Sequence, residues 1–329
     1  MSKLRLSLAC WNYDRTRGLL EGRLQPDGID LIYLNLPVEE TFFRMLRNRE
    51  FDVAEMSLSS YTVSLFKDSP FIAIPIFPSR FFRHSCIYVN ADSGIREPRD
   101  LIGKRVGNPE YQMTAPVWIR GVLSDEYGVP VNSVTYHTGG EEQPNRSEKL
   151  KLDLPADIRV ERIGPTQTLS AMLASGEIDA LYTARMPSSF QTGGGKVKRL
   201  FEDYVPIEKD YFRRTGIFPI MHTVVIRREV YEQHRWIAQS LYKAFCAAQQ
   251  ETYADLYETA ALKTMLPWLT AHVEEARREM GDDYWPYGYE RNQATLSTFL
   301  RYSFEQGLSK HLLTPAQLFA PESLESFKI

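Results

Sequence analysis

One short pattern occurs twice in this chain and constrains its fold more than any other feature. In each copy an amphipathic, helix-like segment leads into Glu, an apolar residue, Asp and a second apolar residue, at 50–53 and at 177–180. In each copy the pattern runs into an apolar strand, and polar residues follow that strand, at 57–60 and at 183–185. The repetition indicates two similar α/β units. Ligands of open α/β sheets bind beyond the carboxyl ends of the strands, so these polar residues are the first candidates for a functional site.

Strand-like and helix-like segments alternate through the first two thirds of the chain, and the last third is mostly helical in pattern. Strands are predicted at 4–10, 29–34, 71–77, 85–90, 104–107, 158–163 and 219–226, and helices at 57–66, 111–127 and 228–255. Two strands, 85–90 and 219–226, are placed to cross between units. We therefore predict a two-lobed α/β chain of the periplasmic-binding-protein type II-like fold, with a central cleft and a helical C-terminal segment. The first lobe would comprise 1–88 and 221–329, and the second 89–220.

Composition excludes several classes of function. The chain has 329 residues, with 39 Lys and Arg against 42 Asp and Glu and a net charge of −3, and it contains no long basic block. We therefore expect no nucleic-acid partner and, because every apolar run is too short to span a bilayer, no membrane partner. The three cysteines form no C-x-x-C pair, so the sequence predicts neither a disulfide framework nor a thiolate metal site. With no secretory segment visible, the cytoplasm is the predicted location.

Six separated segments resemble one enzyme family. They are 8–16, 51–57, 77–85, 110–115, 182–187 and 285–288. All are similar to the 4,5-dihydroxyphthalate decarboxylase family, and the similarity extends over nearly the whole chain. The resemblance implies a cytoplasmic carboxy-lyase on a solute-binding-protein fold, which removes one carboxylate from 4,5-dihydroxyphthalate to give protocatechuate during phthalate degradation.

A dianionic catechol substrate needs cationic partners for its carboxylates. Arginine suits this task because its planar guanidinium binds a carboxylate through two hydrogen bonds. The candidates at predicted lobe edges are Arg15, Arg80, Arg83 and Arg185. The alternative for each is a solvated surface residue.

Decarboxylation also needs a proton donor near the ring carbon that bears the carboxylate, and an acceptor for the catechol proton. His84, at the start of a predicted crossing strand, is the first candidate for the donor, because imidazole titrates near neutral pH. His222, on the return crossing, is predicted to accept the catechol proton. Glu55 interrupts an apolar strand, where an unpaired carboxylate is costly, so it is either catalytic or paired with an arginine. A structural histidine at a strand end is the alternative for His84.

Helix starts and aromatic side chains supply further candidate contacts to the substrate. Backbone N–H groups at helix starts bind carboxylates. The residues so placed are Ser57, Ser59, Ser60, Gln112, Met113 and Thr114, and Thr114 is also a predicted helix cap. Phe81, Tyr111 and Tyr182 are candidates to stack on the ring. Ordinary helix caps and core packing are the alternatives. The aromatic cluster at 284–289 either closes over the cleft or packs between helices.

No cofactor is predicted. Glu55, His84 and His222 could form a three-ligand metal site, but the sequence has no H-x-H or H-E-x-x-H spacing. A divalent ion therefore stays an open alternative. Two other functions also stay open: a solute-binding protein for a small aromatic carboxylate, and a decarboxylase of another hydroxylated aromatic acid. The sequence leaves the oligomeric state open, although the apolar faces of the C-terminal helices could form a homo-oligomer.

Overall fold

The structure, a computed structural model, describes residues 2–192 and 194–325. The described chain splits into two compact units. The first contains the chain up to Arg80, then Ile220–Leu296, and the chain from Thr314 onward; the second contains Phe81–Pro219 and Ser297–Leu313. Each unit holds one sheet.

The elements alternate along the chain much as the sequence predicts. Within the described residues the strands are β1 (Leu4–Cys10), β2 (Ile29–Asn35), β3 (Val53–Ser57), β4 (Phe71–Arg80), β5 (Ile87–Asn90), β6 (Arg105–Asn108), β7 (Thr135–Thr138), β8 (Arg159–Arg162), β9 (Ala180–Tyr182), β10 (Val197–Arg199) and β11 (Ile220–Arg227). The helices are α1 (Arg17–Leu20), α2 (Val38–Asn48), α3 (Leu58–Ser64), α4 (Thr114–Tyr127), α5 (Leu169–Ser175), α6 (Ser188–Thr192), α7 (Tyr204–Thr215), α8 (Arg228–Gln233), α9 (Ile237–Leu256), α10 (Leu269–Met280) and α11 (Gln293–Glu305). None of these helices is long and apolar enough to cross a membrane.

The two sheets share a plan. In the first unit the strand order is β2-β1-β3-β11-β4, and in the second it is β10-β5-β9-β6-β7-β8. Strand β3 is parallel to β1 and antiparallel to β11, while β9 is parallel to β6 and antiparallel to β5. Strands β3 and β9 therefore occupy equivalent places, each between a parallel neighbour and an antiparallel strand.

The repeated sequence pattern has a structural cause. Asp52, just before β3, accepts a hydrogen bond of 2.8 Å from the backbone N–H of Ser7 on β1. Asp179, just before β9, accepts one of 2.9 Å from the backbone N–H of Arg105 on β6. In each unit the aspartate thus fixes its strand against the parallel neighbour, and the apolar residues that follow enter the core. The predicted likeness of the two units is confirmed at this level.

The second unit includes a segment that the sequence assigned to the first. The predicted boundaries lay at residues 88 and 220, whereas the units divide after Arg80 and after Pro219, and Ser297–Leu313 belongs to the second unit. This segment packs on α4, because Gly121 has no side chain at the point where the Tyr302 ring lies. The Arg120 guanidinium also donates to the Gln306 side chain at 2.7 Å. These contacts hold the end of α11 on the second unit.

The helix predicted at 228–255 is also divided. Helix α8 ends at Gln233 and α9 begins at Ile237. The first residues of the strand predicted at 85–90 form part of a 3₁₀ turn, His84–Cys86, before β5 begins at Ile87. The predicted end of α4 is confirmed, because Gly128 adopts a left-handed conformation with φ of 64° and terminates the helix.

Candidate functional site

The register of the first sheet brings three chemically active side chains together at the carboxyl ends of its parallel strands. Ala9 pairs with Ala54 between β1 and β3, so Cys10 and Glu55 lie side by side. Between the antiparallel strands β3 and β11, Val224 pairs with Glu55 and His222 pairs with Ser57. His222 is therefore a diagonal neighbour of Glu55, within reach of its carboxylate.

Glu55 is a wholly buried carboxylate with several hydrogen-bond donors. Its Oε1 lies 2.6 Å from His222 Nδ1 and accepts a bond of 2.6 Å from the Tyr13 hydroxyl. Its Oε2 accepts a bond of 3.1 Å from the Trp11 backbone N–H. Burial raises the pKa of the Glu55 carboxyl, but the charge of His222 and these donors together lower the pKa by more than burial raises it. The net pKa therefore lies below its ordinary value. Glu55 is therefore ionised at neutral pH, and its partner is a histidine. An arginine partner was the structural alternative for this carboxylate.

His222 presents its other ring nitrogen away from this pair. Its side chain is 17% exposed, and the edge of the Phe42 ring packs against it with centroids 4.9 Å apart. Among the described residues, no hydrogen bond reaches Nε2. A carboxylate on Nδ1 fixes the tautomer and the orientation of the imidazole ring. The Glu55–His222 pair can thus give or take a proton at Nε2.

Cys10 contacts the Glu55 carboxylate but is not a nucleophile. Its thiol lies 3.6 Å from Glu55 Oε2. Complete burial, and then the Glu55 charge, raise the pKa of the thiol well above its ordinary value. Since only the thiolate is strongly nucleophilic, the protonated thiol acts here as a weak donor to the carboxylate.

Arg15 lies in the same unit, held by two aromatic rings. Its guanidinium carbon is 4.2 Å from the centre of the Tyr13 ring and 4.4 Å from that of Trp285. Nε donates to the Pro78 carbonyl at 2.6 Å and Nη1 donates to Asp14 at 2.9 Å. Within the described chain, Nη2 has no hydrogen-bond partner. A cation fixed in this way is prepared to bind a carboxylate with little further loss of side-chain entropy.

His84 has different surroundings from those expected of a proton donor. It lies in the second unit, 3% exposed, with the edges of Phe201 and Tyr211 packed at 5.4 Å. Neither ring nitrogen has a hydrogen-bond partner in the described part of the chain. Burial, with a contribution from Arg214, lowers the pKa of His84 to about 4. The expectation that His84 titrates near neutral pH is therefore wrong, because the apolar pocket disfavours the imidazolium.

Arg80 and Arg83 are both buried and engaged within their own units. Arg80 Nη2 donates to the Pro286 carbonyl at 2.7 Å and to the Asn292 side chain, and burial lowers the pKa of Arg80 to about 9. Arg83 Nη1 donates to the Ala184 carbonyl at 3.3 Å, in the turn after β9. These bonds favour structural roles over the predicted carboxylate clamp for both arginines.

The helix-start candidates divide into caps and core residues. Ser57 is the N-cap of α3, since its hydroxyl accepts from the Ser60 backbone N–H at 3.4 Å. Thr114 is not the cap of α4, because Met113 takes that place and Thr114 is already helical. Tyr111 is buried, and its hydroxyl donates to the Gln306 carbonyl at 3.1 Å. Gln112 is also buried and donates to the Glu148 carboxyl at 3.1 Å.

The remaining candidates and one unpredicted residue lie in the second unit. Tyr182 is buried in β9, whereas Phe81 is about half exposed and lies 4.7 Å from the Arg83 guanidinium. Arg185 is exposed, and its backbone N–H donates to the Thr183 hydroxyl at 3.2 Å. That hydroxyl donates to Oε2 of Glu141, a residue the sequence did not single out, and burial raises the pKa of Glu141 to about 7. Its polar loop carried no sequence signal for burial.

Two further residues lie at the first unit's site: Tyr13, which was not predicted as a site residue, and Trp285 of the aromatic cluster at 284–289. Both lie in segments, 8–16 and 285–288, that carried the family resemblance. Metal ligation has no support in the geometry: across residues 2–192 and 194–325, no group of three or more His, Cys, Asp or Glu side chains is arranged to hold an ion. Glu55 and His222 lie in the first unit and His84 in the second.

Solved structures of sulfonate-binding proteins share this fold. The periplasmic aliphatic sulphonate binding protein of Escherichia coli superposes with a TM-score of 0.53 at 15% identity, covering 98% of this chain and 99% of that one. The alkanesulfonate-binding protein of Xanthomonas axonopodis gives a TM-score of 0.52 at 13% identity, covering 97% and 98%. At such low identity the likeness concerns the fold alone, and it confirms the predicted periplasmic-binding-protein type II-like class.

Sequence comparison identifies nearer relatives. No protein-family model matches the chain. The 4,5-dihydroxyphthalate decarboxylase of Comamonas testosteroni is 46% identical over 330 residues, covering 100% of both chains. The enzyme of the same name from Pseudomonas putida is 48% identical over 214 residues, covering 65% of this chain and 83% of that protein. The predicted resemblance is confirmed, and the chain belongs to the 4,5-dihydroxyphthalate decarboxylase family.

Proposed function

We propose that this chain converts 4,5-dihydroxyphthalate to protocatechuate and carbon dioxide, as a carboxy-lyase of phthalate degradation. The observation that carries the proposal is the 46% identity over the full length of both chains to a decarboxylase named for this substrate. Family membership supports decarboxylation in general. The substrate and the roles of the residues are our proposal.

The reaction consumes one proton at carbon. A proton adds to the ring carbon that bears the departing carboxylate, and the para hydroxyl, once ionised, stabilises the dearomatised intermediate. The bond between ring and carboxylate then breaks, its electron pair restores the aromatic ring, and neutral carbon dioxide leaves. The protein must therefore supply a proton donor and an acceptor for the hydroxyl proton.

The Glu55–His222 pair is the group best suited to this proton transfer. Glu55 is ionised and holds Nδ1 at 2.6 Å, which orients the imidazole so that it can donate from Nε2. His84, by contrast, has its pKa lowered to about 4 and is neutral at working pH. We therefore assign the donor role to His222 rather than to His84, in place of the acceptor role that the sequence suggested for His222. Glu55 would hold the imidazole ring in position for this transfer.

Arg15 is the best-prepared partner for a substrate carboxylate. Its guanidinium contacts the rings of Tyr13 and Trp285, and Tyr13 also contacts Glu55, so the cation and the acid lie close together. Of the two identical carboxylates of 4,5-dihydroxyphthalate, Arg15 would hold the one that is retained. Its charge would also keep that carboxylate ionised.

The test is turnover of 4,5-dihydroxyphthalate by the purified, chelator-treated protein, with loss of substrate and appearance of protocatechuate followed by chromatography. We expect turnover in the parent, a loss of at least about a hundredfold in His222→Gln, and parental activity in the control His272→Gln, which alters an exposed histidine of α10. Loss of activity in His84→Leu with His222→Gln unaffected would overturn the assignment of the donor.

The same experiment separates the alternative functions. Binding of the compound without conversion, with or without added divalent ions, would refute the decarboxylase and support a solute-binding protein. Preferred turnover of a different hydroxylated aromatic acid would show that 4,5-dihydroxyphthalate is not the main substrate. Activity that returns only with a divalent ion would show a metal requirement. The cytoplasmic location and a homo-oligomeric state stay predictions.

A further inference from the structure

Tyr13 contacts both Glu55 of the proton-transfer pair and the Arg15 cation. Its hydroxyl donates to Glu55 Oε1 at 2.6 Å, the same oxygen that His222 Nδ1 approaches. Its ring lies 4.2 Å below the Arg15 guanidinium. The Tyr13 side chain thus contacts both the acid, through its hydroxyl, and the cation, through its ring.

The backbone around Tyr13 is fixed by hydrogen bonds. The Tyr13 N–H donates to the Thr16 hydroxyl at 3.2 Å, and the Thr16 N–H donates back to the Tyr13 carbonyl at 3.2 Å. The Tyr33 hydroxyl donates to the Trp11 carbonyl at 2.8 Å and lies 3.0 Å from the hydroxyl of Thr16, which is wholly buried. This turn fixes the backbone that carries the phenol ring, and the ring itself is engaged by Glu55 and Arg15.

The hydroxyl of Tyr13 acts only as a donor here. Burial, and then the Glu55 charge, raise the pKa of Tyr13 far above its ordinary value, so the phenol stays protonated. The bond lowers the pKa of the Glu55 carboxyl and so keeps that carboxylate ionised. The ring face meanwhile carries the negative side of its quadrupole toward the Arg15 cation.

We propose that Tyr13 is a positioning residue that aligns the Glu55–His222 acid with the carboxylate-binding cation Arg15, so that the retained carboxylate and the protonated ring carbon are held at a fixed separation. This inference rests on the proposed function. It assigns a role to a residue that touches neither reacting atom and acts through Glu55 and Arg15. The two contacts are chemically separable, because one uses the hydroxyl and the other uses the ring.

Two substitutions separate the contacts. Tyr13→Phe keeps the ring and removes the hydroxyl, so we expect kcat to fall by about tenfold or more with KM near the parent value. Because Glu55 loses a donor, the acidic limb of the kcat profile should also move to higher pH. Tyr13→Leu removes both contacts, so we expect the same loss in kcat together with a higher KM for the dianionic substrate.

Tyr231→Phe is the matched control. It removes another tyrosine hydroxyl that donates to a glutamate at 2.6 Å in the same unit, on Glu322 and away from the site. We expect parental kcat, KM and pH profile from this variant. Thermal unfolding of all three variants shows whether a lost activity reflects loss of the folded protein.

A measurement without turnover keeps this inference distinct from the proposed function. In ¹³C NMR titration, the Glu55 carboxyl should titrate at higher pH in Tyr13→Phe than in the parent, and the control should not change it. An unchanged Glu55 titration refutes the inference, whether or not the parent turns over. In an active parent, unchanged kcat in Tyr13→Phe, or a rise in KM alone, refutes it as well. Failure of the parent to turn over refutes the proposed function alone.

Discussion

Replacing Glu55 by glutamine tests the centre of the site with almost no change in volume. The carboxylate accepts from Tyr13 and lies against His222 Nδ1, both at 2.6 Å, and it accepts from the Trp11 N–H at 3.1 Å. The glutamine oxygen can take the place of Oε1, but its NH₂ group would then face the Trp11 N–H. One backbone donor loses its acceptor, and the histidine loses its negative partner.

The size of each effect follows from these contacts. A hydrogen bond to a charged group contributes up to about 3 kcal/mol, so losing the carboxylate under the imidazolium should lower kcat by about a hundredfold. Leaving the buried Trp11 N–H without an acceptor should lower the free energy of unfolding by about 1 to 3 kcal/mol. Relief from burying a charge offsets part of that second loss.

The assay pairs steady-state kinetics of 4,5-dihydroxyphthalate decarboxylation with urea unfolding at pH 7. Glu229→Gln, which neutralises an exposed carboxylate beside Arg227, serves as the control and should match the parent in both. A Glu55→Gln protein that keeps parental kcat would refute the catalytic role of the pair. Lost activity with an unchanged KM and a folded protein would support it.

Three further perturbations test the second unit. Burial lowers the pKa of His84 to about 4, so the folded protein binds fewer protons than the unfolded chain between pH 4 and about pH 6.5. The free energy of unfolding should therefore rise by about 3 kcal/mol as the pH rises through this window. In urea unfolding, His84→Leu should abolish that rise. Burial raises the pKa of Glu141 to about 7, so the protonated carboxyl stabilises the fold and this stabilisation is lost as the pH rises through 7. The free energy of unfolding of Glu141→Gln should therefore fall less than that of the parent between pH 6 and pH 8. Gly121→Ala places a methyl group 2.1 Å from the Tyr302 ring and should lower the free energy of unfolding by about 3 kcal/mol, measured by the same method.

Much of the fold was predictable because its signals are local. The aspartates at 52 and 179 precede apolar strands, and the structure shows each of them bound to the neighbouring strand. The membership of Ser297–Leu313 in the second unit was not predictable in this way. It depends on Gly121 and Tyr302, which are far apart in sequence and meet only after folding. The amphipathic pattern of a helix shows that it packs, but it does not show against what.

The site was predictable in part for the same reason. Glu55 stood out because a carboxylate within an apolar strand needs a partner, but the partner depends on the register between β3 and β11. The sequence suggested an arginine as the structural alternative, whereas the register brings His222 to the carboxylate. His84 was misjudged because its pKa depends on the aromatic residues around it, and these come from distant segments. Tyr13 carries no local signal, since its hydroxyl meets Glu55 only when β1 and β3 pair.

The energetics of Glu55 argue that its surroundings exist for chemistry rather than for stability. Burying a carboxylate in a sheet is costly, and an apolar side chain of similar size would often serve the fold as well or better. Here the carboxylate is kept ionised by His222 and Tyr13, and the partner histidine remains partly exposed, with Nε2 unbonded among the described residues. A purely structural pair would gain from burying both partners and bonding every polar atom. The open edge of the imidazole is therefore the feature that a proton-transfer site needs and a structural pair does not.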